Sequence, residues 1–159
     1  MHNGGHGILA PWIMALLTSF TTLEDAYYYF YQAKGASDTK DGRVIKQRHL
    51  RTAILLAWVA VDDAMACWVK QENAVYPKQC RGVALFPKLA FVFELINASP
   101  PGKGDFDQHR DIRNEITHRS GGPDPVVTIK AVGTTLTYCK GLMKVMYPHL
   151  VVREPWHHI

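Results

Sequence analysis

From Ile13 onward, apolar residues return at Leu16, Leu17, Phe20, Leu23, Tyr27, Phe30 and Tyr31. Steps of three and four place them on one face of a helix. The pattern predicts a long first helix from Trp12, with Pro11 tolerated at its start because the first turn has no use for that N–H. The run from Gly35 to Gly42 is rich in turn formers and breaks it. A second long helix is expected from about Arg43 to Gln71, where Leu50, Ile54, Ala57, Val61, Ala64 and Trp68 form a seam of the kind that packs in bundles. Its middle is apolar nearly all round, which predicts a central position.

A shorter third helix follows, with Pro87 in its first turn and Leu89, Val92, Leu95 and Ile96 on its buried face. Residues 97–104 read as a loop. The fourth helix is expected to open at Asp105, with Gln108 three residues on as a capping box requires, and to stop at Gly121-Gly122-Pro123. Asp124 and Pro125 suggest the cap and first residue of a fifth helix, carried by Ile129, Val132, Leu136, Cys139, Met143 and Met146. The β-branched run Val126 to Ile129, Thr134-Thr135 and Gly133 weaken that helix, so a strand is the alternative there. The fold class read from these elements is all-α, an antiparallel bundle of four to five helices. It forms one domain over 1–159, with 148–159 as an irregular tail.

The chain has 159 residues, 47% hydrophobic and 20% charged, which suits a single folded core rather than a disordered polymer. A net charge of +4 would help a polyanion approach without specifying one. Cys67, Cys80 and Cys139 are widely spaced and odd in number, which argues against a disulfide framework or a zinc ribbon and fits buried thiols in a reducing cytoplasm. Ile8 to Leu17 is apolar, yet no Lys or Arg precedes it and Pro11 interrupts it. No run reaches the ~18–20 apolar residues of a membrane span, so a cytoplasmic protein without signal peptide or membrane anchor is expected. No convincing ligand cluster points to a metal, and no cofactor is implied.

Chemistry concentrates on the fourth helix, in Arg113-Asn114-Glu115-Ile116-Thr117-His118. Ile112 and Ile116 would face the core, while Arg110, Asn114, Thr117 and His118 share another stripe. Arg113 and His118 differ by about 140° of helix rotation, five steps of ~100° each, an offset that a long guanidinium stem can cross. A forked cation, an amide and a titratable imidazole can thus surround one polar site.

Two other Arg and His pairs have similar spacing. Arg43 and His49 start the second helix, but Val44 follows the arginine. Arg153 and His158 lie in the tail, with Pro155 between them. Only the Arg113 pair combines a polar follower, a capped helix, a phased apolar stripe and a Gly-Gly stop.

This arrangement resembles the HEPN superfamily, whose signature is an Arg, four to six residues and a His, often with a polar residue after the Arg. Arg113, Asn114 and His118 fill those places, and the helical bundle with its motif on a late helix is similar too. The resemblance implies a metal-independent endoribonuclease in which the RNA 2′-hydroxyl attacks the adjacent phosphorus, leaving a 2′,3′-cyclic phosphate and a 5′-hydroxyl. His118 would act as general acid or base near neutrality. Arg113 would hold the phosphate as charge builds, and Asn114 would orient the His or donate to the phosphate. Arg110, Thr117 and Arg119 are candidate substrate-binding residues, with a solvated charged face as the alternative for the arginines.

The resemblance also implies a homodimer that joins two motifs across a twofold axis, with Tyr28, Tyr29 and Trp58 as exposed interface candidates. RNA is the implied partner, and an antitoxin is a further one if the protein is a toxin or phage-defence effector. Some toxins of this type carry a Tyr two residues after the His, where this chain has Ser120. A non-catalytic HEPN-like module that binds RNA, nucleotide or protein remains the alternative function. Asp62 and Asp63 stand in the apolar middle of the second helix, where unpaired acids are costly. Asp63 is the candidate to orient Arg113 or His118. Tyr27 to Tyr31 reads as core plus interface.

Overall fold

The first two helices form a hairpin joined by five residues, 35–39. A computed structural model describes residues 11–153 apart from 81, 83, 119–121 and 150. Its helices are α1 (Pro11–Lys34), α2 (Lys40–Gln71), α3 (Leu85–Leu95), α4 (Lys103–His118) and α5 (Ile129–Met146), with one 3₁₀ turn at Lys78–Cys80. There is no strand among the described residues. The all-α bundle expected from the hydrophobic pattern is the architecture observed.

The α1–α2 turn is specified locally. Thr39 caps α2, its hydroxyl accepting from the Gly42 N–H at 3.0 Å. Gly42 is required by close approach, since a Cβ there would lie 2.1 Å from the Ser37 carbonyl oxygen. That contact is with backbone, which cannot swing away. α2 begins at Lys40, earlier than the apolar pattern suggests, because the cap rather than the core decides its start.

Helix α2 is the axis of the fold and packs against each of the other four helices, α1 most extensively. Leu50, Ile54, Ala57, Trp58, Val61 and Ala64 have no exposed surface. By length and composition α2 could cross a membrane, contrary to the expectation that no segment could. More than half of its most apolar window is covered by neighbouring helices, which is the ordinary condition of a core helix. Trp58, an expected surface residue, is fully buried, because α4 and α5 close over that side of α2. Its ring meets Phe106 edge-on at 5.4 Å, and its indole N–H donates to the His109 carbonyl at 3.3 Å.

Both later helix starts differ from the sequence expectation. α4 begins at Lys103, so Asp105 lies inside the first turn rather than capping it. Its carboxylate still complements the positive helix end. α5 begins at Ile129 with Thr128 as cap, the hydroxyl accepting from the Ala131 N–H at 3.1 Å. Asp124 and Pro125 instead belong to an extended connection held against α2. The Gln47 amide donates to the Val127 carbonyl and accepts from the Val127 N–H, both at 2.9 Å. Arg51, one turn further on, donates to the Pro125 carbonyl at 3.3 Å and faces Asp124 at 3.5 Å. A side chain thus does for Val127 what a neighbouring strand would do, which is why these β-branched residues are extended without forming a sheet.

Gly133 weakens α5 for a packing reason. A Cβ there would stand 3.1 Å from the Phe30 ring of α1, so the glycine lets the two helices approach. Cys67, Cys80 and Cys139 are free and buried. Burial pushes the Cys139 thiol far above its ordinary range, which leaves it inert.

Candidate functional site

Helix α4 lies at the rim of the bundle, and its covered side is broader than Ile112 and Ile116 alone suggest. Both isoleucines are only partly covered, although they touch the core. The fully buried residue is Phe106. Arg110, Arg113 and Asn114 follow it at i+4, i+7 and i+8 and are half-buried on the same side. The polar groups expected to face outward therefore turn partly inward, into a groove of about 440 Å³ between α3 and α4. Phe86 and Phe106, their rings 5.1 Å apart, supply its aromatic wall.

Arg113 is held from two directions. Its Nη1 donates to the Asn114 side-chain oxygen at 3.2 Å and reaches the Thr117 hydroxyl at 3.5 Å. Thr117 in turn donates to the Arg113 carbonyl at 3.0 Å. Arg113, Asn114 and Thr117 thus form one small unit on the last two turns of α4. His118 is the final residue of the helix and is exposed. It has no hydrogen bond or ion pair among the described residues. A continuous helix through His118 keeps its imidazole on a different side of α4 from Arg113.

The acid beside this unit is Asp62, not Asp63. Asp63 is exposed, whereas Asp62 faces Arg110 at 3.8 Å. One residue of helix is ~100° of rotation, and α4 covers the side of α2 that carries Trp58 and Asp62 at i and i+4. Burial holds the Asp62 carboxyl above its ordinary range, although Arg110 and then Arg113 pull it down. Burial likewise lowers Arg110, against the pull of Asp62. The Arg110 guanidinium lies 4.8 Å from the centre of the Trp58 ring, an interaction that offsets part of its desolvation. Its Nη1 is buried without a hydrogen-bond acceptor among the described residues. Arg110 is therefore a packed, partly structural cation at the back of the groove.

A second polar cluster on α4 went unnoticed in the sequence. His109 stacks on Tyr138 with ring centres 4.3 Å apart, and its Nδ1 lies 3.3 Å from the Thr135 hydroxyl. Burial lowers the His109 pKa, Asp105 acting in the opposite sense. Burial also raises Tyr138, to about 12. Thr135 is fully buried, and a threonine on the apolar stripe of α5 was the signal that could have located this cluster.

Arg119 and Ser120 lie outside the described residues. Of the competing pairs, Arg43 is engaged with Asp38 at 3.5 Å and His49 packs against Tyr29. The Arg153 backbone N–H donates to Glu24 at 2.9 Å, and His158 is outside the described residues. Among the described residues no three His, Cys, Asp or Glu side chains gather as a metal site. No family model, curated protein or solved structure matches the chain.

Proposed function

We propose that the chain is a metal-independent endoribonuclease of HEPN type, with Arg113, Asn114 and His118 forming half of a composite site. The observation that carries the reading is the Arg113–Asn114–Thr117 unit beside the α3–α4 groove, on a helix that ends in an exposed imidazole. A guanidinium anchored through one nitrogen keeps donors for phosphate oxygens, and anchoring lowers the entropy lost on binding. The helix geometry bears on the need for a partner. With Arg113 and His118 some 140° apart, one protomer does not readily bring both to one phosphate. A second copy across a twofold axis would supply the missing group.

In that arrangement one His118 takes the proton of the 2′-hydroxyl or returns one to the leaving 5′-oxygen. Arg113 stabilises the charge that builds on the phosphorane oxygens, and Asn114 fixes the guanidinium. Arg110, tied to Asp62 and Trp58, supports the groove wall and contributes long-range positive potential. Thr117 acts by positioning Arg113. That His118 has no bonded partner among the described residues also favours a second reading, a module that binds RNA, nucleotide or protein without cleaving it.

Incubation of total RNA with the protein in EDTA separates the two. Wild-type protein should cut, leaving 2′,3′-cyclic phosphate ends, while His118→Ala and Arg113→Ala should lose at least ~100-fold in rate. Mixing those two variants should restore part of the activity through mixed dimers. Equal cleavage by wild type and His118→Ala removes the histidine from the mechanism, and RNA binding without cleavage supports the binding module.

A further inference from the structure

The groove that takes Arg113 and Asn114 has more structure than phosphate binding needs. Its volume, about 440 Å³, falls within the range of small-molecule sites. Phe86 forms part of its wall, and Lys103 Nζ stands over that ring at 5.6 Å from the centre. Lys103 is largely exposed and is held by Asp107 at 2.6 Å. Phe86 is only partly buried and lines the groove, and the group over this face is an exposed side chain that can swing aside. A planar, π-rich group could take the same place, with Lys103 covering it from the other side.

The acids of the groove differ in their availability. Asp107 is occupied by Lys103. Asp111, one turn on, lines the same groove and is exposed. It has no ion pair or hydrogen bond among the described residues. A carboxylate has two acceptor oxygens and no donor, so it suits a ligand edge that offers two adjacent N–H groups. Among nucleobases that edge is the N1–H and 2-amino pair of guanine. Adenine, uracil and cytosine do not offer two adjacent donors on their Watson–Crick edge. Asp111 and Arg113 stand two residues and ~200° of helix rotation apart, on opposite edges of the groove they both line, so a base at Asp111 directs its own 3′-phosphate across the groove toward Arg113.

We infer that the α3–α4 groove is a guanine-nucleotide site, with the base against Phe86, its N1–H and 2-amino group donating to Asp111, and its 3′-phosphate on Arg113. The inference rests on the proposed ribonuclease reading only for its place in a reaction, where the bound guanine would be the base 5′ to the cut. Binding can be tested without cleavage.

Guanosine, adenosine and uridine 3′-monophosphates are titrated calorimetrically into the full chain carrying His118→Ala. The guanosine compound should bind at least ~10-fold tighter than the other two, within the range of one bidentate base contact. Asp111→Asn should remove that preference, because an amide offers only one acceptor oxygen and adds donors that oppose those of guanine. Phe86→Ala should weaken all three nucleotides by ~5-fold or more, while Phe86→Tyr keeps them. Because Phe86 also packs on Phe106, the exposed Asp111 variant decides the matter if Phe86→Ala fails to fold.

Equal binding of the three nucleotides, an unchanged preference in Asp111→Asn, or no binding of any of them overturns the inference. If wild-type protein cuts RNA without regard to guanine, the inference fails while the ribonuclease reading stands. If guanosine 3′-monophosphate binds selectively and no RNA is cut, the reverse holds.

Discussion

Replacing Asp62 by leucine leaves the Arg110 guanidinium, 15% exposed, without its counter-charge. At 3.8 Å and an effective dielectric constant of about 20, the attraction between two unit charges is about 4 kcal/mol. Asp62 is 39% exposed, so solvent screening reduces that to roughly 2 kcal/mol. Asp62→Leu loses that attraction but also the cost of burying the carboxylate, which is the larger effect, so the unfolding free energy at pH 7 should stay within about 1 kcal/mol of wild type. Burial outweighs attraction in both partners, so the pair itself is not a net gain. Replacing both charges by apolar groups of similar volume is then close to neutral. The double variant Asp62→Leu/Arg110→Met should also stay within about 1 kcal/mol of wild type, since the methionine stem still covers Trp58.

Urea titrations followed by far-UV circular dichroism at pH 7, with unchanged m values, measure both quantities. A loss of about 2 kcal/mol or more in either variant would show that the pair holds α4 to α2, and the reasoning would be wrong. The pH dependence adds an independent check. A carboxyl raised in the folded state contributes stability that is full below its unfolded value, 3.8, and is lost as pH rises through the folded titration. That decline should be present in wild type and absent from Asp62→Leu.

Gln47→Ala removes two hydrogen bonds to the buried Val127 backbone and should cost about 2 kcal/mol. Chemical denaturation reads the cost, and a loss below ~0.5 kcal/mol would mean that water replaces the amide without penalty. Gly141 has open space around its Cβ position, whereas Gly133 faces Phe30. Gly141→Ala should gain about 0.8 kcal/mol from helix propensity, and Gly133→Ala should gain clearly less. Equal gains would show that the Phe30 ring shifts freely. His109 has a lowered pKa, so its contribution to stability is full above its ordinary value of 6.5 and is lost as pH falls through the folded titration. Thermal melts between pH 7.5 and 5 should show this decline, and His109→Gln should flatten it. An identical slope in that variant would place the sensitivity elsewhere.

The sequence by itself determined the all-α class, the long α1–α2 hairpin and the central place of α2. Those follow from apolar periodicity along the chain, which any partner surface would have to satisfy. It also brought Arg113, Asn114 and His118 to notice on one helix, because their spacing is local. What lay beyond it was which side of each helix meets which neighbour. Trp58 looked available for an interface until α4 and α5 covered it. Asp62 and Asp63 differ by one step, and only the position of α4 selects Asp62.

The cap at Asp124 was a sound local signal that the tertiary structure overrode. The Gln47 amide binds the Val127 backbone, which keeps that segment extended and delays α5 to Thr128. The same limit applies to the motif. Ile112 and Ile116 mark an apolar stripe, but α4 packs through Phe106 and draws Arg110 and Arg113 half under cover. A helix has one hydrophobic pattern and several faces, and burial is set by the surface across from it.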